Sequence, residues 1–412
     1  LILAFVFLSW HLVACSNGDS GISSGLPDKP SAEEDSPGTE TISEEMRVKI
    51  TGEDLYISAK LDAKTDILYW FKKCMFNELF TFYRVGTIDN NMPAPATLPD
   101  ASPTSLLNLA YSDNIGPFNI TGYGWCGGNH PYLDEVTQTA RNIGYRIYID
   151  GKEIKTDLST LTKEIKIEVI NEIMNPSKAD TSSGKTLLNE ILCIETVNYS
   201  IYRNNIQVLV THEFQNESPV TVQMYYGMQS MFDKETHTLT ANGKYVDWTV
   251  QKDVSTFTKK EYPSFRRFIE KSANVYQSSY LFADGLGNHE EISDDDIIFI
   301  GNSSNKTYHK IIADREHKKG DIIHWSGVYT WFKSPVSDDD DLLCYEGVID
   351  NKKVLFIDCK KNVDRTIQLP VDYTKKSFTI IEKSKSITIT GNKVTAKGLR
   401  IVSDGSGSCV IT

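Results

Sequence analysis

The chain has 412 residues, of which 40% are hydrophobic and 10% aromatic, a composition typical of a globular protein rather than a disordered one. Its formal net charge of −12 disfavours nucleic acid as a partner, because recognition of phosphate backbones requires a basic surface. The sequence contains no phosphate-binding glycine loop and no HExxH motif, which removes several common classes of intracellular enzyme.

Residues 1–15 predict an export signal. The apolar stretch 1–14 is shorter than the roughly 20 residues that span a bilayer, and it ends in Leu-Val-Ala-Cys at Cys15, followed by polar residues. This order resembles the lipobox of bacterial lipoproteins, in which the cysteine is lipidated and becomes the mature N-terminus. No methionine or basic segment precedes Leu1, so we expect the sequence to begin inside the signal. The prediction is a cell-envelope protein, lipid-anchored through Cys15 at the outer membrane surface or in the periplasm; the alternative is a buried N-terminal helix.

Residues 16–45 predict a disordered tether. The segment consists mainly of Ser, Gly, Pro, Asp, Glu and Thr, with almost no large apolar side chain. Such a composition cannot bury enough surface to offset the entropy lost on ordering. We expect the tether to hold the folded part of the chain away from the membrane.

The next several hundred residues predict strands. Short runs of alternating or β-branched apolar residues are separated by Gly, Asn and Asp, and they succeed one another without helical patterns. The pair Asp150-Gly151 is typical of a two-residue hairpin turn, because both residues tolerate positive φ. The clearest predicted strands are 145–149, 164–170, 206–214 and 220–229.

Two helices are predicted within this β-rich region, near residues 71–80 and 263–271. The acidic segment 335–341 is typical of a charged linker, and the apolar runs that follow it predict further strands. The fold prediction is therefore all-β, with a large antiparallel β-sandwich over residues 46–335 and a small C-terminal β-domain over residues 342–412.

The cysteines leave two interpretations open. Besides Cys15 there are six scattered cysteines, which can pair in an oxidising compartment or remain buried free thiols in a chain large enough to build a core. Their spacing does not indicate a zinc site, and no metal or other cofactor is predicted. The six are Cys74, Cys126, Cys193, Cys344, Cys359 and Cys409.

The densest group of unusual residues lies between 112 and 132. Glycines there allow the backbone to approach a ligand closely, and Tyr123 and Trp125 offer flat faces for a sugar ring. Asn129, His130 and Tyr132 add groups for hydrogen bonding and proton transfer. The alternative is a glycine-rich connector with aromatic plugs and a hydrogen-bonded core histidine.

The runs WCGGNHPY and SDNIGPF, together with the HEF and YYGMQ strands, resemble those of secreted proteins from gut Bacteroidetes that accompany glycan-degrading systems. The β-rich body is similar to the supersandwich fold of some polysaccharide lyases and mutarotases. The resemblance covers roughly residues 71–331. It implies a polysaccharide or oligosaccharide as partner. The other predicted partner is the membrane, which would hold the lipid on Cys15.

A lyase of uronic-acid glycans would need three roles from this chain. One group must neutralise the carboxylate so that the neighbouring C–H becomes acidic, and Asn129 with Arg84 or Arg141 is the candidate. A base must then take the proton, and His130 is suited to this because its ordinary pKa lies near neutrality.

The third role is an acid that protonates the leaving oxygen, for which Tyr132, Tyr225 and Tyr226 are candidates. His212, on a predicted strand, would reach His130 across a sheet. The preferred interpretation of His212 is nevertheless a strand histidine hydrogen-bonded to a neighbour.

Two functions from different classes follow. The first is an enzyme that cleaves uronic-acid glycans by β-elimination, and its alternative is a non-catalytic glycan-binding surface lipoprotein. A structural or adhesive surface protein is a third, weaker possibility. A lyase requires His130 and a tyrosine to converge on one point in a cleft beside a carboxylate anchor, whereas a binding protein requires an open aromatic strip.

Overall fold

A computed structural model describes residues 42–97, 105–108, 115–231, 237–240, 245–247, 255–257, 267–272, 275–282, 298–301 and 306–412. Within these residues the chain is almost entirely β-structure, with no α-helix and with short 3₁₀ turns such as Pro176–Lys178 and Val371–Tyr373. The all-β prediction is confirmed. No described segment forms a helix with the length and apolarity needed to cross a bilayer. Cys15 and most of the predicted tether lie outside the described residues.

The strands are numbered along the chain. Those of the first half are β1 (Met46–Thr51), β2 (Asp54–Lys60), β3 (Thr65–Cys74), β4 (Leu79–Asp89), β5 (Ser105–Asn108), β6 (Phe118–Ile120), β7 (Gly124–Cys126), β8 (Ala140–Ile149), β9 (Lys152–Ile154), β10 (Leu158–Thr162), β11 (Ile165–Met174), β12 (Ala179–Asp180), β13 (Leu187–Leu188), β14 (Ile191–Tyr202), β15 (Asn205–Phe214) and β16 (Val220–Met231). Those of the second half are β17 (His237–Thr240), β18 (Tyr245–Asp247), β19 (Ser255–Phe257), β20 (Arg267–Ser272), β21 (Val275–Leu281), β22 (Ile298–Gly301), β23 (Lys306–His317), β24 (Ile322–Phe332), β25 (Ser337–Asp338), β26 (Leu342–Ile349), β27 (Lys352–Cys359), β28 (Val363–Ile367), β29 (Ile380–Lys383), β30 (Ile387–Ile389), β31 (Leu399–Ser403) and β32 (Gly407–Ile411).

Three antiparallel sheets pack around one large core. The N-terminal sheet has the order β10-β1-β2-β3-β4-β5, the central sheet the order β18-β17-β20-β21-β24-β15-β14-β11-β8-β9, and the outer sheet the order β19-β22-β23-β16-β6-β7. A single apolar cluster contains Val48 of the first, Val210 of the second and Val222 of the third. The four strands predicted most clearly are present as parts of β8, β11, β15 and β16. The hairpin turn is also present, with φ of 46° at Asp150 and 79° at Gly151.

Both predicted helices are wrong where the structure describes them. Residues 71–80 form the end of β3, a turn and the start of β4, and residues 267–272 form β20. In β3 the burial has a period of two, because Tyr69 and Phe71 point into the core while Trp70 and Lys72 lie on the opposite face. The aromatic run is therefore part of a strand and contributes rings to both faces of the sheet. Residues 261–266, which precede β20, lie outside the described part.

The C-terminal residues form a small β-structure of two sheets, with orders β25-β26-β27-β32-β29 and β28-β31-β30, around an apolar cluster of its own. A separate cluster joins it to the central sheet, where Phe332 stacks on Tyr345 at 4.3 Å and Tyr345 on Phe356 at 4.9 Å between ring centroids. The acidic segment before it is not a free linker. Ser337–Asp338 is strand β25, and Asp341 pairs with Lys361 at 2.8 Å.

The six described cysteines are all unpaired, and five of them are buried. Burial raises the pKa of the Cys74 and Cys409 thiols to about 12. It raises the pKa of Cys359 to about 11. The structure therefore contains free thiols, the second of the two interpretations left open by the sequence.

His317, at the end of β23, makes the stability of the fold depend on pH. Its ring stacks on Phe214 with 4.4 Å between centroids. Burial, and then the charge of Arg315, lower its pKa from 6.5 to about 4, with a smaller lowering from His212 and an opposing contribution from Asp321. Because the unfolded chain keeps the higher pKa, it binds more protons between these values. Stability is therefore complete above about pH 6.5 and falls on acidification, by up to about 1.4 kcal/mol per pH unit.

The variant His317→Phe keeps the ring contact and removes the titration. We expect its free energy of unfolding, measured with urea, to fall less between pH 7 and about pH 5 than that of the unaltered protein. Equal losses in the two proteins would show that other groups account for the acid sensitivity.

Candidate functional site

The hairpin β6–β7 places Trp125 on the outer sheet. In this hairpin Asn119 lies directly opposite Trp125, whereas Phe118 lies opposite Cys126, so the two pairs point to opposite faces. Phe118 and Cys126 are fully buried, while Asn119 and Trp125 are half-buried. The ring of Trp125 and the amide of Asn119 are therefore neighbours on a face that solvent reaches.

Three rings form a ladder on this face. The Trp125 ring stacks on His130 with 5.3 Å between centroids and an interplanar angle of 27°, and on Tyr226 of β16 at 6.2 Å and 21°. All three residues are half-buried. We call this ladder of Trp125, His130 and Tyr226 the Trp125 strip. It is a half-buried aromatic surface with an amide beside it.

The loop that carries His130 is fixed from the opposite side by Asn77, which is buried in the β3–β4 turn. The Nδ2 of Asn77 donates to the carbonyl oxygens of Gly128 at 2.8 Å and His130 at 3.2 Å, and its Oδ1 accepts from the N–H of Thr139 at 3.0 Å. The Thr139 hydroxyl also accepts from the N–H of Gly127 and donates to the carbonyl of His130. Asn77 and Thr139 hold the strip in place, and no sequence motif indicates either residue.

The glycine pair of the loop has a steric function. Gly127 and Gly128 both have positive φ, 79° and 48°. A Cβ on Gly127 would lie 3.3 Å from Cγ2 of Ile173, so the loop packs closely against β11. The backbone therefore approaches the core of the protein at this point, which differs from the approach to a ligand that the sequence suggested.

Asn129, Tyr132 and Tyr123 lie close to the strip along the chain but serve different contacts. The Oδ1 of Asn129 accepts from the N–H of Phe76 at 2.8 Å, which ties the loop to the β3–β4 turn. Tyr132 donates its N–H to the carbonyl of Thr137 at 2.9 Å and is half-buried. Tyr123, at the tip of the β6–β7 hairpin, is 44% exposed.

The residue Asp134 organises the next turn. Its carboxylate accepts from the N–H of Val136 at 3.1 Å and from the N–H and hydroxyl of Thr137 at 2.9 and 2.7 Å. Hydrogen bonds from the hydroxyls of Thr186 and Thr137 hold the pKa of Asp134 well below its ordinary value. This carboxylate is a turn-forming group that stays ionised.

His212 lies in the core, one layer beneath the strip. It has no exposed surface, its Nε2 lies 2.9 Å from Oε2 of Glu195, and its ring meets Phe118 and Tyr225 edge-on at 4.8 and 5.0 Å. Asn171 donates to the other oxygen of Glu195 at 2.9 Å. His212 is thus a strand histidine hydrogen-bonded to a neighbour, as preferred from the sequence, and a substrate on the surface cannot reach it.

Tyr225 is buried as well. Its hydroxyl donates to the carbonyl of Ile115 at 2.8 Å and accepts from the indole of Trp325 at 2.9 Å. Burial raises the pKa of Tyr225 well above its ordinary value. Of the adjacent pair on β16, only Tyr226 lies on the side of the strip.

The two arginines named as carboxylate helpers lie on other strands. Arg141, on β8, pairs with Glu172 of β11. Arg84, on β4, places its guanidinium 4.8 Å from the ring centre of Tyr83, on the N-terminal sheet. Arg84 and Arg141 therefore belong to different sheets, and each contacts a residue of its own sheet.

A cleft of about 380 Å³ lies between the β14–β15 turn and the β26–β27 hairpin. Arg203 at its wall has a φ of 49°, which is uncommon for a residue other than glycine. Two lysines of the wall are paired, since Lys333 lies 2.8 Å from the carboxylate of Asp62 and Lys353 lies 3.6 Å from that of Glu44. No sequence motif indicated this cleft, because its wall combines distant segments.

The described residues contain no candidate metal site. Within the described residues, no group of three or more His, Cys, Asp and Glu side chains is arranged to hold an ion.

No protein-family model and no curated protein matches the chain. Among solved structures, the chain is similar to the galactosidase domain of the α-galactosidase–sucrose kinase AgaSK, with 9% identity and a TM-score of 0.38 over 70% of this chain and 42% of the other. The α-galactosidase AgaB from Geobacillus stearothermophilus gives 9% and 0.37 over 70% and 41%. The Slr1438 protein from Synechocystis sp. PCC 6803 gives 8% and 0.33 over 69% and 99%.

The chain spans about two fifths of the length of the two galactosidase chains. Similarity at this level identifies neither a family nor an activity for this chain.

Proposed function

We propose that the protein is a non-catalytic glycan-binding protein that holds a sugar ring against the Trp125 strip. The observation that carries the proposal is the ladder of three half-buried rings, Trp125, His130 and Tyr226. The C–H face of a pyranose packs on such a ring, and the neighbouring amide of Asn119 can exchange hydrogen bonds with hydroxyl groups.

Binding is favoured over β-elimination by where the reacting groups lie. A lyase needs a base, an acid and a carboxylate anchor within reach of one point. Here Asn129 holds the backbone of Phe76, Arg141 pairs with Glu172, and His212 is buried. The strip supplies aromatic contact area and hydrogen-bonding groups without that convergence.

The envelope location is part of the same proposal. A lipid on Cys15 and a tether over residues 16–45 would present the folded chain to polysaccharide outside the cell. The lipobox-like sequence and the polar composition of the tether support this placement.

The variant Trp125→Ala tests the strip. We expect it to lower the affinity for the bound glycan about tenfold, or about 1.4 kcal/mol, because the central ring of the ladder is lost. Affinity electrophoresis against a panel of neutral and acidic polysaccharides identifies the ligand, and calorimetry with an oligosaccharide from it gives the dissociation constant.

Tyr148→Ala, which removes a half-buried ring of β8 outside the strip, is the matched control and should leave affinity unchanged. Equal affinity of Trp125→Ala and the unaltered protein would contradict binding at the strip. Release of unsaturated sugar ends that His130→Ala abolishes would instead establish β-elimination.

A further inference from the structure

The N-terminal sheet carries a second aromatic surface, on the face opposite to the core. Strand register places Lys49, Tyr56, Trp70 and Arg84 side by side across β1, β2, β3 and β4. With strands about 4.8 Å apart, this row is about 14 Å long. Their strand neighbours Val48, Leu55, Tyr69 and Val85 are fully buried, whereas the four residues of the row are half-buried.

Two further residues complete this surface. Lys72, two positions after Trp70, lies on the same face, and Tyr83 joins it at a bulge in the β3–β4 pairing. We call the six residues the Trp70 face: Lys49, Tyr56, Trp70, Lys72, Tyr83 and Arg84.

The rings of the Trp70 face are mutually fixed. Tyr56 stacks on Trp70 with 5.2 Å between centroids, Tyr83 meets Trp70 edge-on at 5.0 Å, and the Trp70 indole donates to the carboxylate of Asp54 at 2.8 Å. Fixed rings lose little conformational entropy when a ligand packs on them. The aromatic part of the face is therefore preorganised.

The cations of the face are held by rings instead of carboxylates. The ammonium of Lys72 lies 4.5 Å from the ring centre of Trp70 and 4.2 Å from that of Tyr83, and the guanidinium of Arg84 lies 4.8 Å from Tyr83. A cation–π contact leaves the N–H donors of the cation available to an anion. The Nε of Arg84 is buried and has no hydrogen-bond partner among the described residues.

Two other lysines of the N-terminal sheet form ion pairs with carboxylates. Lys73 pairs with Glu53 at 2.9 Å and Lys60 with Asp66 at 2.8 Å. Lys49, Lys72 and Arg84 form no ion pair with any described residue. Against the one carboxylate of Asp54 on this face, three cations leave a local excess of positive charge in a chain whose net charge is −12.

We propose that the Trp70 face binds an anionic glycan, whose sugar rings pack on Tyr56 and Trp70 while its acidic groups pair with Lys49, Lys72 and Arg84. A polymer that alternates pyranose faces with carboxylates matches a row in which rings lie between cations. An anionic membrane is disfavoured because the apolar groups of the face are half-buried rings with no protruding aliphatic side chain. This second site lies on a different sheet from the Trp125 strip and differs from it in requiring charge.

The experiment compares polygalacturonate oligosaccharides with their fully methyl-esterified forms, which keep the ring and lose the charge. All measurements are made with the Trp125→Ala variant, so that glycan binding at the Trp125 strip does not contribute to the measured affinity. We expect the acid form to bind this background and the ester to bind at least tenfold more weakly, with the affinity for the acid form falling as salt rises. The double variant Lys49→Gln/Arg84→Gln should weaken binding of the acid form at least tenfold.

Lys152→Gln, which removes an exposed cation of β9, is the control for a general loss of positive charge and should leave the affinity unchanged. A sulfated glycosaminoglycan and vesicles of anionic lipid distinguish other sources of negative charge. Equal affinity for acid and ester, equal losses in the double variant and the control, or tighter binding to vesicles would each overturn the proposal. If binding disappears with Trp125→Ala alone, the Trp125 strip is the site and the Trp70 face is not.

Discussion

Replacing Arg267 with methionine is expected to lower the free energy of unfolding by about 3–5 kcal/mol, because it leaves a buried carboxylate without its cation. The Nη1 of Arg267, on β20, lies 2.9 Å from Oδ1 of Asp358, on β27, and both side chains are at most 2% exposed. The guanidinium also lies 4.6 Å from the ring centre of Tyr280 and 4.9 Å from that of Phe356. This pair joins the central sheet to the C-terminal β-structure.

Chemical unfolding of three proteins separates the charge from the packing. Asp358 also accepts from the Ser408 hydroxyl at 2.7 Å, so its carboxylate remains in place when the arginine is removed. The double variant Arg267→Met/Asp358→Leu removes both charges, and we expect it to be more stable than Arg267→Met. A double variant as unstable as the single variant would assign the effect to lost packing.

Replacing Gly116 with alanine is expected to destabilise the protein by about 3 kcal/mol and to weaken the glycan binding that we propose for the Trp125 strip. Gly116 has a φ of 97°, and a Cβ there would lie 1.5 Å from the carbonyl oxygen of Tyr226. The left-handed backbone costs roughly 1–2 kcal/mol for a residue with a Cβ, and overpacking costs about 1–3 kcal/mol more. To relieve the overlap, β16 must shift at Tyr226, which moves one ring of the Trp125 strip.

Gly122→Ala is the matched control. Gly122 has a φ of 81°, but a Cβ there meets nothing within 4 Å, so the variant has the backbone cost without the overlap. We expect thermal unfolding to show a smaller loss for Gly122→Ala than for Gly116→Ala, and calorimetry to show normal affinity. Equal effects of the two variants would contradict the close packing of Gly116 against Tyr226.

The class of the fold could be predicted from the sequence because period-two patterns and turn residues act locally. The Asp150-Gly151 turn and the strands on either side of it illustrate this, since each signal lies within a few residues. The helix prediction for residues 71–80 is wrong because Tyr69, Trp70 and Phe71 alternate between the two faces of β3, which is the pattern of a strand. Because three aromatic residues follow one another here, hydrophobicity alone does not show which of them is buried.

The candidate site was only partly predictable because it depends on contacts between distant segments. Trp125 was identified from its chemistry, and Tyr226 was named for another role. Asn77 was missed because its hydrogen bonds to Gly128 and His130 span about fifty residues of sequence. A correct strand prediction for β3 would have pointed to Tyr56, Trp70 and Lys72, because residues two apart share one face and neighbouring strands align their side chains.

The buried thiols determine how this chain can mature. Because the described cysteines need no partner, the native state can be reached without an oxidant or a disulfide isomerase. Desolvation keeps the interior sulfurs protonated, and a protonated sulfur neither attacks a foreign disulfide nor traps a peroxide. Among the described cysteines only Cys74, at the end of β3 beside the Trp70 face, is partly accessible, and its raised pKa of about 12 keeps this thiol protonated as well.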